Sequence, residues 1–181
     1  DHAGVNGDAY IYGRLVRSTG NDYWSYLTDF DGTSISGSPR IANIYFASGA
    51  SATWNGASLY VIGSTSATTT IQNQGSGNYA ITIGTGATTN WSRVQIRDIN
   101  IDGVVFAGAP TVTDFSYTDH LVELNNGSAI TVGGTVINAN EAKNFTSNIF
   151  AESGGVTSPK NVTATGTSVS SWRFTNHTGN I

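Results

Sequence analysis

YFASGASATW at residues 45–54 and TIGTGATTNW at residues 82–91 are written in one style, with apolar residues, a run of small residues about a glycine, and a closing tryptophan. Gly86 follows Gly49 by 37 residues, and Trp91 follows Trp54 by the same distance. The shared offset predicts a repeat in which Gly49 and Gly86 occupy equivalent corners and Trp54 and Trp91 occupy like environments. VFAGAPTVTDF (105–115) and ELNNGSAITV (123–132) continue the pattern of an apolar pair, a small-residue turn and alternating Thr and apolar residues. The turns near Gly49, Gly86, Gly108, Gly127 and Gly166 are 37, 22, 19 and 39 residues apart. A rung of roughly 18 to 22 residues accounts for the short gaps and, doubled, for the long ones.

Helix signals are nearly missing. The longest stretch free of Gly, Pro and dense β-branched residues is ANEAKNF (139–145), barely two turns. Strand-like alternation recurs in AYIYGRLV, ANIYFAS, ASLYVIG, YAITIG, RVQIRDINI, HLVEL, AITVGGTVI and SSWRFTN, each bounded by turn-forming Gly, Asn or Ser. The chain therefore reads as all-β. A coil of this length cannot bury its apolar side alone and must stack on its neighbours, which predicts a single-stranded right-handed parallel β-helix, a solenoid of roughly eight or nine coils. An antiparallel β-sandwich is the alternative, because it too has many short strands at regular spacing. The inward positions are expected to include Ile44, Phe46, Leu59, Val61, Ile81, Ile83, Val94, Ile96, Val122, Leu124, Ile130 and Val132. Nothing in the length demands two domains, so residues 1–181 form one β-helix domain in this reading, with 1–40 as an N-terminal capping region.

LYVIGSTSATTTIQNQGSGNYAITIG (59–84), AITVGGTVINAN (129–140) and NVTATGTSVSSWRFTNHTGNI (161–181) resemble the repetitive right-handed parallel β-helix regions of large secreted or surface-exposed bacterial proteins. The likeness extends from about residue 40 onward and rests on Gly, Ser and Thr. It implies a coiled parallel fold, and a role in adhesion or cell-envelope structure.

Composition narrows the function classes. Charged residues make up only 11% of the chain and the formal net charge is −4, with the basic residues scattered. No basic stripe is available for phosphates, so nucleic acid is not expected as a partner. There is no apolar run of about 18 residues, so membrane insertion is not expected either. Cys and Met are both absent, which excludes disulfides and thiolate metal sites. A chain that starts at Asp1 without an initiator Met is either the mature product of signal cleavage or a fragment of something longer, and either origin suits export to the cell surface or outside the cell.

Three clusters are candidate sites. RDINID (97–102) and TDFSYTDH (113–120) bring Asp98, Asp102, Asp114, Asp119 and His120 within reach of one face if they lie one coil apart, as a polysaccharide-degrading β-helix enzyme would require. Caps on strand-end turns explain the same carboxylates without catalysis. The paired adjacent Asp and the Gly-His-Gly of the glycan hydrolases that share this fold do not occur. TDFDGT (28–33) sets Asp29 and Asp31 two apart before a glycine, half of a calcium loop, but no closing Glu follows. Calcium is thus the one cofactor the residues suggest, and an Asx turn explains them as well. NDYWSYL (21–27) is the densest aromatic patch; Trp24 and Tyr26 would share one strand face, suited to stacking on a sugar ring or to closing the end of the core. No active site emerges. The expected function is that of a non-enzymatic structural building block of a surface fibre, filament or adhesive layer, acting by self-association into a homopolymer. A polysaccharide-degrading enzyme and a carbohydrate-binding module are the alternatives.

Overall fold

The computed structural model describes residues 9–11, 13–17, 21–25, 43–63, 68–133, 143–165 and 172–179. These form, in chain order, β1 (Ala9–Ile11), β2 (Arg14–Arg17), β3 (Asn21–Ser25), β4 (Asn43–Phe46), β5 (Ser51–Trp54), β6 (Ser58–Ile62), β7 (Thr69–Asn73), β8 (Tyr79–Ile83), β9 (Thr88–Ser92), β10 (Val94–Ile96), β11 (Ile99–Phe106), β12 (Thr111–Ser116), β13 (Asp119–Val122), β14 (Ser128–Gly133), β15 (Lys143–Thr146), β16 (Ile149–Glu152), β17 (Lys160–Thr165), β18 (Trp172–Thr175) and β19 (Thr178–Gly179). No helix among the described residues is long and apolar enough to cross a membrane.

Each strand from β1 to β16 pairs with the strand three further along the chain. The result is three sheets: sheet 1 in the order β1-β4-β7-β10-β13-β16-β19, sheet 2 in the order β2-β5-β8-β11-β14-β17, and sheet 3 in the order β3-β6-β9-β12-β15-β18. Each pairing is parallel, from β1 with β4 to β16 with β19, so the antiparallel sandwich is excluded among the described residues. Three consecutive strands make one tier, and all-β parallel sheets built this way are compatible with a β-helix.

The tiers are longer than the sequence spacing predicts. Ile44 pairs with Ile71, Ile71 with Ile96, Ile96 with His120, and His120 with Phe150, so successive tiers are offset by 27, 25, 24 and 30 residues. Among the described residues sheet 1 accordingly has seven strands. The cause is the corner chemistry. Gly49 turns the chain from β4 to β5, whereas Gly86 turns it from β8 to β9; they serve different corners. The counterpart of Gly86 is Gly56: a Cβ on Gly86 would lie 3.5 Å from the Gly56 Cα, and the Gly56 N–H donates to the Thr85 carbonyl at 2.9 Å. Gly49, Gly56 and Gly86 all have φ of 71–75°, a left-handed conformation that glycine adopts without steric cost, and each precedes a buried alanine (Ala50, Ala57, Ala87) that plugs its corner. One turn device is thus used at two corners of a tier, and an offset of 37 residues mixes a full tier with one extra side.

Alternation within the strands supplies the core. Side chains at every second position of β4 to β10 are buried, as the period of a pleated strand requires. Of the expected inward positions all are buried except Leu124, half-buried in the turn before β14. The three sheets share one continuous apolar cluster: Phe46 of sheet 1 stacks on Tyr79 of sheet 2 at 4.4 Å, and Phe115 of sheet 3 meets Phe106 of sheet 2 at 5.6 Å and His120 of sheet 1 at 5.8 Å. Trp54 and Trp91 are fully buried. They occupy different sheets, β5 and β9, so their environments are alike in burial but not in position.

Candidate functional site

The acidic residues do not converge. Asp98 turns the corner from β10 to β11 in a left-handed conformation, φ 56°. Its carboxylate accepts from the Asn73 N–H of the adjacent tier at 3.2 Å, while its own N–H donates to the Glu123 carboxylate. Each side chain thus caps the backbone of its neighbour. Burial raises the Glu123 pKa above the ordinary carboxylate value, against the Asp98 N–H bond that lowers it. Asp114 lies in β12 on sheet 3 and accepts from Ser116 Oγ at 2.9 Å. Asp102 sits exposed in β11, where the register shifts between Ile99 and Val104. Asp119 lies on sheet 1, ion-paired to Arg97 of the preceding tier at 2.8 Å. A shared face for these carboxylates, expected from RDINID and TDFSYTDH, is therefore not formed.

His120 points inward. It is 1% exposed, its ring is stacked between Phe115 and Phe150 at 5.8 and 5.3 Å, and neither ring nitrogen has a hydrogen-bond partner. Burial, aided by the nearby Arg97, lowers its pKa to about 3. A histidine so placed is neutral near pH 7 and out of reach of a substrate.

Trp24 lies in β3 in register with Val61, and Tyr26, Asp29 and Asp31 lie outside the described residues. Among the described residues no group of three or more His, Cys, Asp or Glu is placed to hold a metal ion.

The feature with chemical character is a groove that the sequence reading does not single out. It follows the corner from sheet 3 to sheet 1. There β9, β12 and β15 end in an aromatic residue and a Ser or Thr (Trp91-Ser92, Phe115-Ser116, Phe145-Thr146), and the next residue is left-handed: Arg93 at φ 57°, Tyr117 at 52° and Ser147 at 55°. The aromatics pack inward, with Trp91 stacked on Phe115 at 5.3 Å and Phe115 tilted against Phe145 at 4.7 Å. Inter-tier backbone bonds hold the turn: Arg93 N–H to Ser116 O at 3.1 Å, Tyr117 N–H to Thr146 O at 3.2 Å, and Ser147 N–H to Thr175 O at 2.9 Å. Asn148, fully buried, adds two more, accepting from the Thr118 N–H at 3.0 Å and donating to the Phe115 carbonyl at 3.3 Å.

This frame stacks the side chains of Arg93, Tyr117 and Ser147 at one corner, with Gln95, Asp119 and Ile149 in register beside them on the outer face of sheet 1. Together with Thr68 and Val94 they line a cavity of about 260 Å³. The Arg93 guanidinium lies 4.5 Å from the centre of the Tyr117 ring. Tyr117 is 50% exposed and Ile149 44% exposed, large values for apolar surface on a face otherwise polar. The groove thus offers an open ring, a guanidinium against it, and hydrogen-bonding side chains around both. The signal in the sequence is the motif aromatic-Ser/Thr-X at residues 91, 115, 145 and 174, masked by the more conspicuous glycine turns. Comparison of the chain with protein-family models, curated proteins and solved structures finds no match.

Proposed function

We propose that this chain is an exported structural building block: a single-stranded right-handed parallel β-helix that stacks end to end with further copies in a surface fibre or adhesive layer. Right-handedness follows from the near-universal hand of connections between parallel strands. The observation that carries the reading is the way the sheets stop. All three end in β17, β18 and β19 at one extreme and in β1, β2 and β3 at the other, and among the described residues each of these strands has a paired neighbour on one side only. Parallel edges left unpaired recruit strands, from a further copy or from an adjoining segment of a longer chain. Because the two ends differ, their pairing is head-to-tail, and a head-to-tail contact that does not close on itself yields a filament. The scarcity of charge, 11% of residues, leaves little repulsion against such stacking.

Sedimentation velocity over a concentration series, with electron microscopy of the same samples, tests this. Growing species and rods that lengthen along one axis are expected. A chain that stays monomeric at the highest concentration refutes the assembly.

A further inference from the structure

We propose that the corner groove binds an extended acidic polysaccharide, with the Arg93 guanidinium taking an anionic substituent and the Tyr117 ring taking the face of a sugar. The site is separate from the open strand edges and does not depend on assembly.

Charge complementarity selects the occupant. Asp119 is already neutralised by Arg97 at 2.8 Å. Among the described residues Arg93 makes no ion pair, and its guanidinium rests on the Tyr117 ring. The groove therefore presents one uncompensated positive charge on a chain whose formal net charge is −4. An anionic substituent is attracted at this point. Such an isolated cation suits a polymer whose charge is carried on carboxylates spaced along sugar rings. A nucleic acid strand draws most of its affinity from many cations along its backbone, whereas a sugar polymer draws part of its affinity from ring stacking and hydroxyl hydrogen bonds, so that one cation serves to select an acidic sugar.

The ring and its surroundings favour a sugar over a small anion. Tyr117 is half exposed, and an aromatic ring with an accessible polar tip suits the mixed apolar and hydroxylated surface of a pyranose. Gln95, Thr68 and Ser147 supply hydrogen-bonding groups of both senses. Geometry favours a polymer over a monosaccharide: Thr68, Arg93, Tyr117 and Ser147 belong to four successive tiers, and strand spacing sets about 4.8 Å between tiers, close to the length of one sugar unit in an extended chain. A ligand lying along the corner meets Thr68, the Arg93 guanidinium, the Tyr117 ring and Ser147 in turn.

Isothermal titration of the intact chain with oligogalacturonate as probe, and with a neutral cello-oligosaccharide and single-stranded oligothymidylate as comparators, tests the proposal. Arg93→Asn and Tyr117→Asn are the informative variants, because asparagine tolerates the left-handed backbone at both positions. Lys160→Gln, an exposed cation on β17, is the control. Oligogalacturonate is expected to bind the parent chain, to lose about tenfold or more in affinity in each Asn variant, to bind Lys160→Gln unchanged, and to weaken as salt rises from about 50 to 500 mM. A hydrogen-exchange footprint of the bound oligomer, which needs no variant, is expected over residues 93–95, 117–119 and 147–149. The proposal is overturned by no binding at about 1 mM probe or by a footprint elsewhere. Equal loss in Lys160→Gln, tighter binding of thymidylate, or neutral sugar binding that Arg93→Asn leaves unchanged would each overturn it too.

Discussion

Replacing His120 by Phe should make the chain more acid-resistant. His120 is packed flat between Phe115 and Phe150, with interplanar angles of 19° and 15°, so a phenyl ring enters the same stack. The sign of the effect follows from the pKa. The folded value is lowered from 6.5 to about 3, so the folded protein holds the neutral form while the unfolded chain takes up a proton below about pH 6.5. Titration of the histidine therefore subtracts nothing from stability above that pH. Below it, stability falls by about 1.4 kcal/mol per pH unit until the folded pKa is reached. Over the whole window the loss is about 5 kcal/mol, comparable with the entire stability of many domains. At pH 7.5 the variant should be at least as stable as the parent, and by up to about 3 kcal/mol more stable, because two buried nitrogens without partners disappear. Urea denaturation of both proteins at a series of pH values from 7.5 to 3.5 measures the difference directly. Other titrating groups cancel in that difference. Two curves that run parallel from pH 6.5 downward would refute the assignment, since they would mean that His120 has a partner or access to water.

Gly103 and Gly49 should respond very differently to alanine. Both are left-handed, with φ of 67° and 74°, but a Cβ at Gly103 would lie 2.2 Å from the Ala129 carbonyl oxygen, whereas at Gly49 nothing lies within 4 Å. Thermal unfolding is expected to show a loss of about 1–2 kcal/mol for Gly49→Ala and of about 3 kcal/mol or more for Gly103→Ala, where backbone must move as well. Asn148→Ala removes the two hydrogen bonds of a fully buried side chain, and chemical denaturation should show a cost of about 2–4 kcal/mol. Asp119→Asn breaks an ion pair whose side chains are about a quarter exposed and should cost about 1 kcal/mol or less, measured in the same way.

Much of the fold was legible in the sequence because a strand writes its burial locally. Ile81 and Ile83 alternate with Thr82, Leu59 and Val61 with Tyr60, and such alternation fixes which face is inward whatever the strand pairs with. The glycine-alanine corners were legible for the same reason, since a left-handed residue and a small plug are properties of three or four adjacent residues. What the sequence alone left undecided was which corner follows which. Gly49 and Gly86 carry the same turn chemistry at different corners, and only the pairing of Gly56 with Thr85 across the tier boundary separates a side from a full tier. The candidate site was still less visible. Asp98, Asp114 and Asp119 look like neighbours in a list of residues, but one caps a corner and the others lie on sheets 3 and 1. Arg93 and Tyr117, 24 residues apart, come together because the stacked aromatics Trp91 and Phe115 bring two corners into register. Strand pairing joins residues one tier apart at about 4.8 Å, and the tier varies from 20 residues between Tyr79 and Ile99 to 37 between Arg14 and Ser51. No fixed period in the sequence could announce that contact; the tertiary structure decides it through the length of each corner.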